Sequence, residues 1–146
     1  DTSLPLSIPQ QIPNSHNVSL PVGSTVTIQG KANNAFRMEP RMQVDFHTGT
    51  SAKSNIAFSF QVCFGKCVIM NSLQNEGWGP EDKSFNVPFE EDTPFEVVIS
   101  ALENEYQVSV NGKYCYSFAY RLPLSSVEMI QVWRDVFLKS VDIKQG

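Results

Sequence analysis

Apolar and polar residues alternate with a period of two along most of this chain, and no window of about eleven residues carries a helical stripe, so the chain is confined to strands and turns. The stretch Phe58–Lys83, FSFQVCFGKCVIMNSLQNEGWGPEDK, carries the pattern most clearly. Successive strand side chains point to opposite faces, so Phe58, Phe60, Val62 and Phe64 form one row and Ser59, Gln61 and Cys63 the other. Beyond the Gly65–Lys66 turn, Val68 and Met70 alternate in the same way with Ile69 and Asn71. The apolar row predicts a core face. The polar row predicts a wet sheet face with the Trp78 loop at its edge, an arrangement suited to an open, polar ligand.

The remaining segments follow the same rule. Asn17–Val22 and Thr25–Gln29 read as strands divided by Gly23–Ser24, and Met42–Phe46 reads as another after the Glu39–Pro40 break. Phe85–Phe89 contains Pro88 and predicts an edge strand or a strand end. Phe95–Ser100 alternates, and Tyr106–Val110 leads into Asn111–Gly112, a hairpin signal because both residues tolerate positive φ. Tyr114–Phe118 is the return strand, and Val127–Trp133 and Val136–Val141 form a last pair turned at Arg134–Asp135. Pro123 limits Leu124–Met129 to a turn of 3₁₀ or α-helix. About ten short strands between turns predict an all-β sandwich or barrel. Residues 1–16, with Pro5, Pro9 and Pro13, predict an extended arm that lays Leu4, Leu6, Ile8 and Ile12 on the body, with residues 17–146 as one compact domain.

Composition and the remaining polar residues narrow the function. A length of 146 residues is enough for one domain that buries roughly two-thirds of its unfolded surface. A net charge of −4 without a Lys/Arg cluster argues against nucleic acid as a partner. No apolar run approaches the ~20 residues that cross a bilayer, so membrane insertion is not expected. The opening DTSLPLSIPQQIP, lacking a basic start and an apolar core, does not read as a secretory signal. Three cysteines, Cys63, Cys67 and Cys115, make an odd count that favours free thiols in a reducing compartment. Cys63 and Cys67 flank a turn and are open to a metal or redox reading, but His16 and His47 are distant in sequence, so ordinary strand thiols are the simpler expectation and no metal or cofactor is predicted. The sequon Asn17–Val18–Ser19 matters only to a chain on the secretory route. Glu90, Glu91 and Asp92 read as a solvated turn, His47 as an exposed strand end, and Arg134–Asp135 as a local charge pair. Hydrolase, nucleotide-binding and zinc-protease signatures are missing, so no enzyme is predicted. Trp78 stands apart. It lies among Asn75, Glu76, Gly77, Gly79, Pro80 and Glu81, where an indole either stacks on a ligand or anchors the loop by burial.

These landmarks together resemble the galectins, the β-galactoside-binding lectins. The resemblance runs from Val22–Val26 through Gln43–Phe46, Phe58–Asn71, Gly77–Glu81, Val87–Phe89, Phe95–Glu96 and Tyr106–Gly112 to Arg121–Leu124 and Val127. The runs Phe60–Gly65 and Gln131–Asp135 are most similar to the prototype single-domain subgroup of Charcot–Leyden crystal protein and the placental galectins, and Glu103–Val108 and Ala119–Val127 to ruminant gastrointestinal and uterine galectins. The resemblance implies a jelly-roll-like sandwich of two antiparallel sheets with a sugar lying across the concave one. It implies a site of Ser59, Gln61, Cys63, Ile69, Asn71, Trp78, Glu81 and Lys83. Asn71, Trp78 and Glu81 keep the residues of a typical galectin. Ser59, Gln61 and Cys63 stand where that family places His, Asn and Arg, and Lys83 replaces a final Arg. Weak or altered β-galactoside binding is therefore expected, with glycans of glycoproteins or glycolipids as partners. The alternative is a self-assembling protein-interaction module that has lost most sugar binding. The family also implies a homodimer, and a cytoplasmic protein with nuclear presence and non-classical secretion open to it.

Overall fold

The computed structural model describes residues 9–146; Leu4, Pro5, Leu6 and Ile8 of the expected arm lie outside them. Twelve strands occur among these residues: β1 (Asn14–Asn17), β2 (Thr25–Ala32), β3 (Arg41–His47), β4 (Ile56–Cys63), β5 (Cys67–Gln74), β6 (Gly77–Trp78), β7 (Asp82–Ser84), β8 (Phe95–Ala101), β9 (Glu105–Val110), β10 (Lys113–Ala119), β11 (Met129–Arg134) and β12 (Val136–Lys144). Two short 3₁₀ turns, Phe36–Met38 and Leu124–Ser126, complete the regular structure, the second where Pro123 predicted it.

The strands form two antiparallel sheets. A seven-stranded sheet runs β1-β11-β3-β4-β5-β6 with β7 also on β5, and a five-stranded sheet runs β10-β9-β8-β2-β12. The period-two pattern is the cause. β2 and β8 alternate half-buried and buried residues along their length, as strands with one face in a core must. The Asn111–Gly112 turn forms as expected, with φ of 53° and 84°, and joins β9 to β10.

Between the sheets, Phe58 of β4 stacks on Tyr106 of β9 at 4.5 Å, with Phe118 of β10 at 5.0 Å and Phe46 of β3 at 5.6 Å. A second aromatic group, Phe64, Phe89 and Phe95, fills one end at centroid distances of 5.2–5.9 Å. Phe89 enters it from an irregular segment, and this is why Phe85–Phe89 is neither the edge strand nor the strand end its sequence predicts. Pro88 has no N–H to give to a ladder, and the Asn86 carbonyl accepts the Tyr116 hydroxyl instead (2.5 Å).

Four other expectations change. The first strand is Asn14–Asn17, not Asn17–Val22; it pairs with β11, and residue 16 falls inside it. Gln10 bridges Leu138 on the opposite sheet, so this segment passes from one sheet edge to the other. β11 and β12 do not pair as a hairpin: they separate at Arg134, whose φ is 82°, into different sheets. Arg134 and Asp135 do not pair with each other; Arg134 Nε donates to Gln43 and the Asp135 carboxylate accepts the Arg41 N–H. His47 is buried, not exposed, because the 48–55 turn folds over it and brings the Ser54 carbonyl and hydroxyl to Nδ1.

Tyr106 gives a test of the core. Its hydroxyl is buried and finds no partner among the described residues, and burial pushes the phenol well above its ordinary range. A phenol that ionises more readily unfolded than folded costs stability as pH rises, beginning near its unfolded value of about 10. Tyr106→Phe should therefore raise the urea midpoint at pH 7, by removing a buried orphan hydroxyl that costs about 1–3 kcal/mol, and should lessen the loss of stability above about pH 10. A lowered midpoint at pH 7 would show that the hydroxyl has a partner in solution.

Candidate functional site

Register fixes which side chains share the outward face of the seven-stranded sheet. One row is Trp133, Gln43, Gln61, Ile69 and Lys83, across β11, β3, β4, β5 and β7. The row on one side is Gln131, Asp45, Ser59 and Asn71, and on the other Arg41, Cys63 and Cys67. The expected site residues therefore do fall on one face. They are not equally accessible.

Ser59 is 0% exposed, which overturns the wet face predicted for it. Its hydroxyl donates to Asp45 Oδ1 (2.7 Å), and Gln61 Nε2 donates back to Ser59 Oγ (3.3 Å). Asp45, itself buried, accepts further from Gln43 Nε2 (2.9 and 3.0 Å) and from Trp133 Nε1 (2.9 Å). Gln43 Oε1 in turn accepts from Arg134 Nε (2.8 Å), and the guanidinium lies 4.6 Å from the Trp133 ring centre. Cys63 is also buried. Burial first, and then a hydrogen bond with Cys67, push its thiol up, so on this outward face it is a neutral, covered group outside the groove lining.

The other half of the site is held by a residue that sequence reasoning did not single out. Arg121 Nη1 donates to Asn71 Oδ1 (2.8 Å) and Ser72 Oγ (3.2 Å), and Nη2 donates to the Pro80 carbonyl (2.6 Å), with the guanidinium 4.6 Å from the Phe118 ring centre. Asn71 Nδ2 donates to the Gly79 carbonyl (2.8 Å), and Asn71 Oδ1 also accepts from the Ser72 N–H (2.7 Å). Gly79 permits this closeness: a Cβ there would stand 3.0 Å from Arg121 Nη1. The expected loop before Trp78 is in fact a hairpin. Asn75 and Glu76, at φ of 52° and 67°, turn β5 into β6, which places Trp78 opposite Leu73 with 49% of its surface exposed. Glu81 is exposed, and Lys83 directs its amino group to the Phe85 ring, 5.6 Å away.

A groove of about 340 Å³ results. It gathers Gln61, Ile69, Asn71, Trp78 and Glu81, leaves Ser59, Cys63 and Lys83 outside its lining, and adds Arg41. Beside it a second hollow of about 500 Å³ lies over β3 and β11, sharing Gln61 and Trp78 and reaching Trp133, Arg134 and His47. Among the described residues no group of three or more His, Cys, Asp or Glu stands close enough to hold a metal ion. Arg41 was in principle legible, since it alternates with Gln43 on the same face of β3. Arg121, and the Asp45–Trp133 bond, depend on long-range pairing that no local pattern displays.

Two antiparallel sheets packed through a shared aromatic core define a β-sandwich domain, with an open groove beside a half-exposed tryptophan. A family model described as galactoside-binding lectin matches residues 11–143, and the chain belongs to that family, the galectins. It is 45% identical to human galectin-16 over 141 residues, covering 97% of this chain and 96% of that protein. To human galactoside-binding soluble lectin 13 it is 44% identical over 136 residues, covering 93% and 95%. A solved structure of a human galectin-16 variant matches with a TM-score of 0.89 over 94% of this chain and 99% of that one, at 45% identity. Sheep galectin-11 in complex with glycerol matches at 0.87, with 42% identity, over 92% and 99%.

Proposed function

We propose that this chain binds glycans in the groove beside Trp78, with a rearranged contact set that holds ordinary β-galactosides weakly or shifts the specificity. The observation that supports this most is the Trp78 indole, half-exposed next to Gln61, Asn71 and Glu81. Its face can take the apolar C–H side of a pyranose while amide and carboxylate groups meet the hydroxyls. The rearrangement is the burial of Ser59 and Cys63 and the turning of Lys83 toward Phe85. One neutral hydrogen bond lost, at about 0.5–1.5 kcal/mol, and one charge-assisted bond lost, at about 1.5–3 kcal/mol, together amount to about 30- to 2,000-fold in affinity. On a glycan array the chain should give a reproducible signal that Trp78→Ala removes, and lactose titrated by calorimetry should bind far more weakly than to a typical galectin. A tight lactose complex, or an array signal indifferent to Trp78→Ala, contradicts the reading.

A second reading, a homodimeric interaction module with a drifted sugar site, has one observation in its favour. Asn71 Oδ1 already accepts two hydrogen bonds within the protein, so it has little left for a ligand. Under that reading a concentration-dependent dimer persists in sedimentation without glycan, and Trp78→Ala leaves partner binding intact. Cys63, Cys67 and Cys115 are all unpaired, which suits a cytosolic origin followed by non-classical export. Among the described residues no helix is long and apolar enough to cross a membrane.

A further inference from the structure

We infer that Arg41 supplies the groove with the guanidinium that Cys63 lacks, and so anchors the glycan held there; this rests on the groove being the glycan site. Arg41 opens β3 directly opposite Cys63 of β4, and its side chain lines the groove with Asn71, Trp78 and Glu81. A full-length side chain at residue 63 would occupy the space next to it. Cysteine, short and buried, leaves that space to the neighbouring strand.

The backbone of Arg41 is fixed, while its guanidinium forms no ion pair among the described residues. Its N–H donates to the Asp135 carboxylate (3.0 Å) and its carbonyl accepts from the Asp135 N–H (2.7 Å), which anchors the strand start. The ion pairs among the described residues are Lys31–Asp92 and Lys66–Glu39, and neither involves Arg41. Lys66 holds Glu39, the acid two residues before Arg41, so that carboxylate is already occupied. Glu81, which also lines the groove, forms no ion pair among the described residues. The groove thus lines one hollow with a planar fork of donors at Arg41, a carboxylate acceptor at Glu81 and the Trp78 indole as a stacking surface. A pyranoside with adjacent hydroxyls is the ligand chemistry this meets: oxygens accept from the guanidinium, a hydroxyl donates to Glu81, and a C–H face covers the indole. Lysine at residue 41 would keep the charge and lose the fork.

An array of neutral and sulfated β-galactosides, probed with the full chain and its variants, tests this. Arg41 is exposed, and equal melting temperatures confirm that its variants fold. Arg41→Ala should weaken retention of every glycan the parent holds by about ten- to a hundred-fold, the scale of a charge-assisted contact, and Arg41→Lys should fall between them. Cys63→Arg alone should bring little gain, because two guanidinium groups then compete for one place, while Cys63→Arg in the Arg41→Ala background should restore retention. If Arg41→Ala keeps the parent profile while Trp78→Ala loses it, the role of Arg41 is refuted and the glycan site stands. If the parent holds no glycan, both fall.

Discussion

Replacing Phe58 by alanine should cost the fold about 3–5 kcal/mol, a large part of the total stability of a single domain. Phe58 is fully buried and lies where the two sheets meet. Its ring stacks on Tyr106 with an interplanar angle of 11°, and Phe46, Phe60 and Phe118 surround it, so its removal leaves a void that none of these rigid rings can turn to fill. For a chain of this length each kcal/mol shifts the melting temperature by about 2–4 °C, so Phe58→Ala should melt about 6–20 °C below the parent. Tyr114→Ala is the control. Tyr114 is an exposed aromatic on β10, and its removal should move the midpoint by no more than about 0.5 kcal/mol. Equal effects at the two positions would mean that the sandwich core is not centred on Phe58. Both melts need a reductant, because free thiols that oxidise on heating would obscure a two-state transition.

The residue pattern that makes Phe58 central is also what made the fold legible. Alternation placed β2, β4, β8, β9 and β10 correctly to within a few residues, because each has one core face and each core face is apolar. It failed where strand formation does not depend on an apolar row. β1 reads Asn-Ser-His-Asn and is held by its pairing with β11 alone. Phe85–Phe89 has the right composition for a strand, yet Phe89 is used as a plug for the Phe64–Phe95 end of the core. The same limit applies to the site. Trp78 stood out because an indole between glycines is conspicuous, and family resemblance located Asn71 and Glu81. That Ser59 is buried was not legible. A small polar residue on an outward row reads as wet unless its neighbours on β3 and β11 are known, and those come from residues 43–45 and 133–134. Arg121 is farther still, reaching Asn71 across 50 residues of sequence.

Asp45→Ala should be as damaging as the loss of Phe58, about 3–5 kcal/mol, although it deletes only a few atoms. The Asp45 carboxylate is 2% exposed and is the common acceptor for Ser59 Oγ, Gln43 Nε2 and Trp133 Nε1. A buried donor left without its acceptor costs about 1–3 kcal/mol, and Asp45→Ala leaves three such neutral donors, Ser59 Oγ, Gln43 Nε2 and Trp133 Nε1. Water can reach the Gln43 and Trp133 side of the cluster through the adjoining hollow, which keeps the total below the sum of three separate orphans. Asp45→Asn separates charge from shape. It keeps one oxygen, but its NH₂ faces the Gln43 Nε2 donor in either orientation, and Trp133 Nε1 as well in one of them, so its cost should lie between the parent and alanine. Urea unfolding should show a lower midpoint with an unchanged slope for both variants, and Trp133 fluorescence should shift to the red as the indole loses its fixed partner. The cluster also joins the two halves of the outward face: Ser59 and Gln61 hang from Asp45 on one side, and Gln43 carries the bond to Arg134 on the other. If the groove beside Trp78 is where glycan binds, Asp45→Asn should weaken that binding through Gln61 alone, by a few-fold, while Trp78→Ala removes it. An Asp45→Ala protein as stable as the parent would mean that Ser59, Gln43 and Trp133 are held by packing, and that the buried polar cluster has no part in shaping the face.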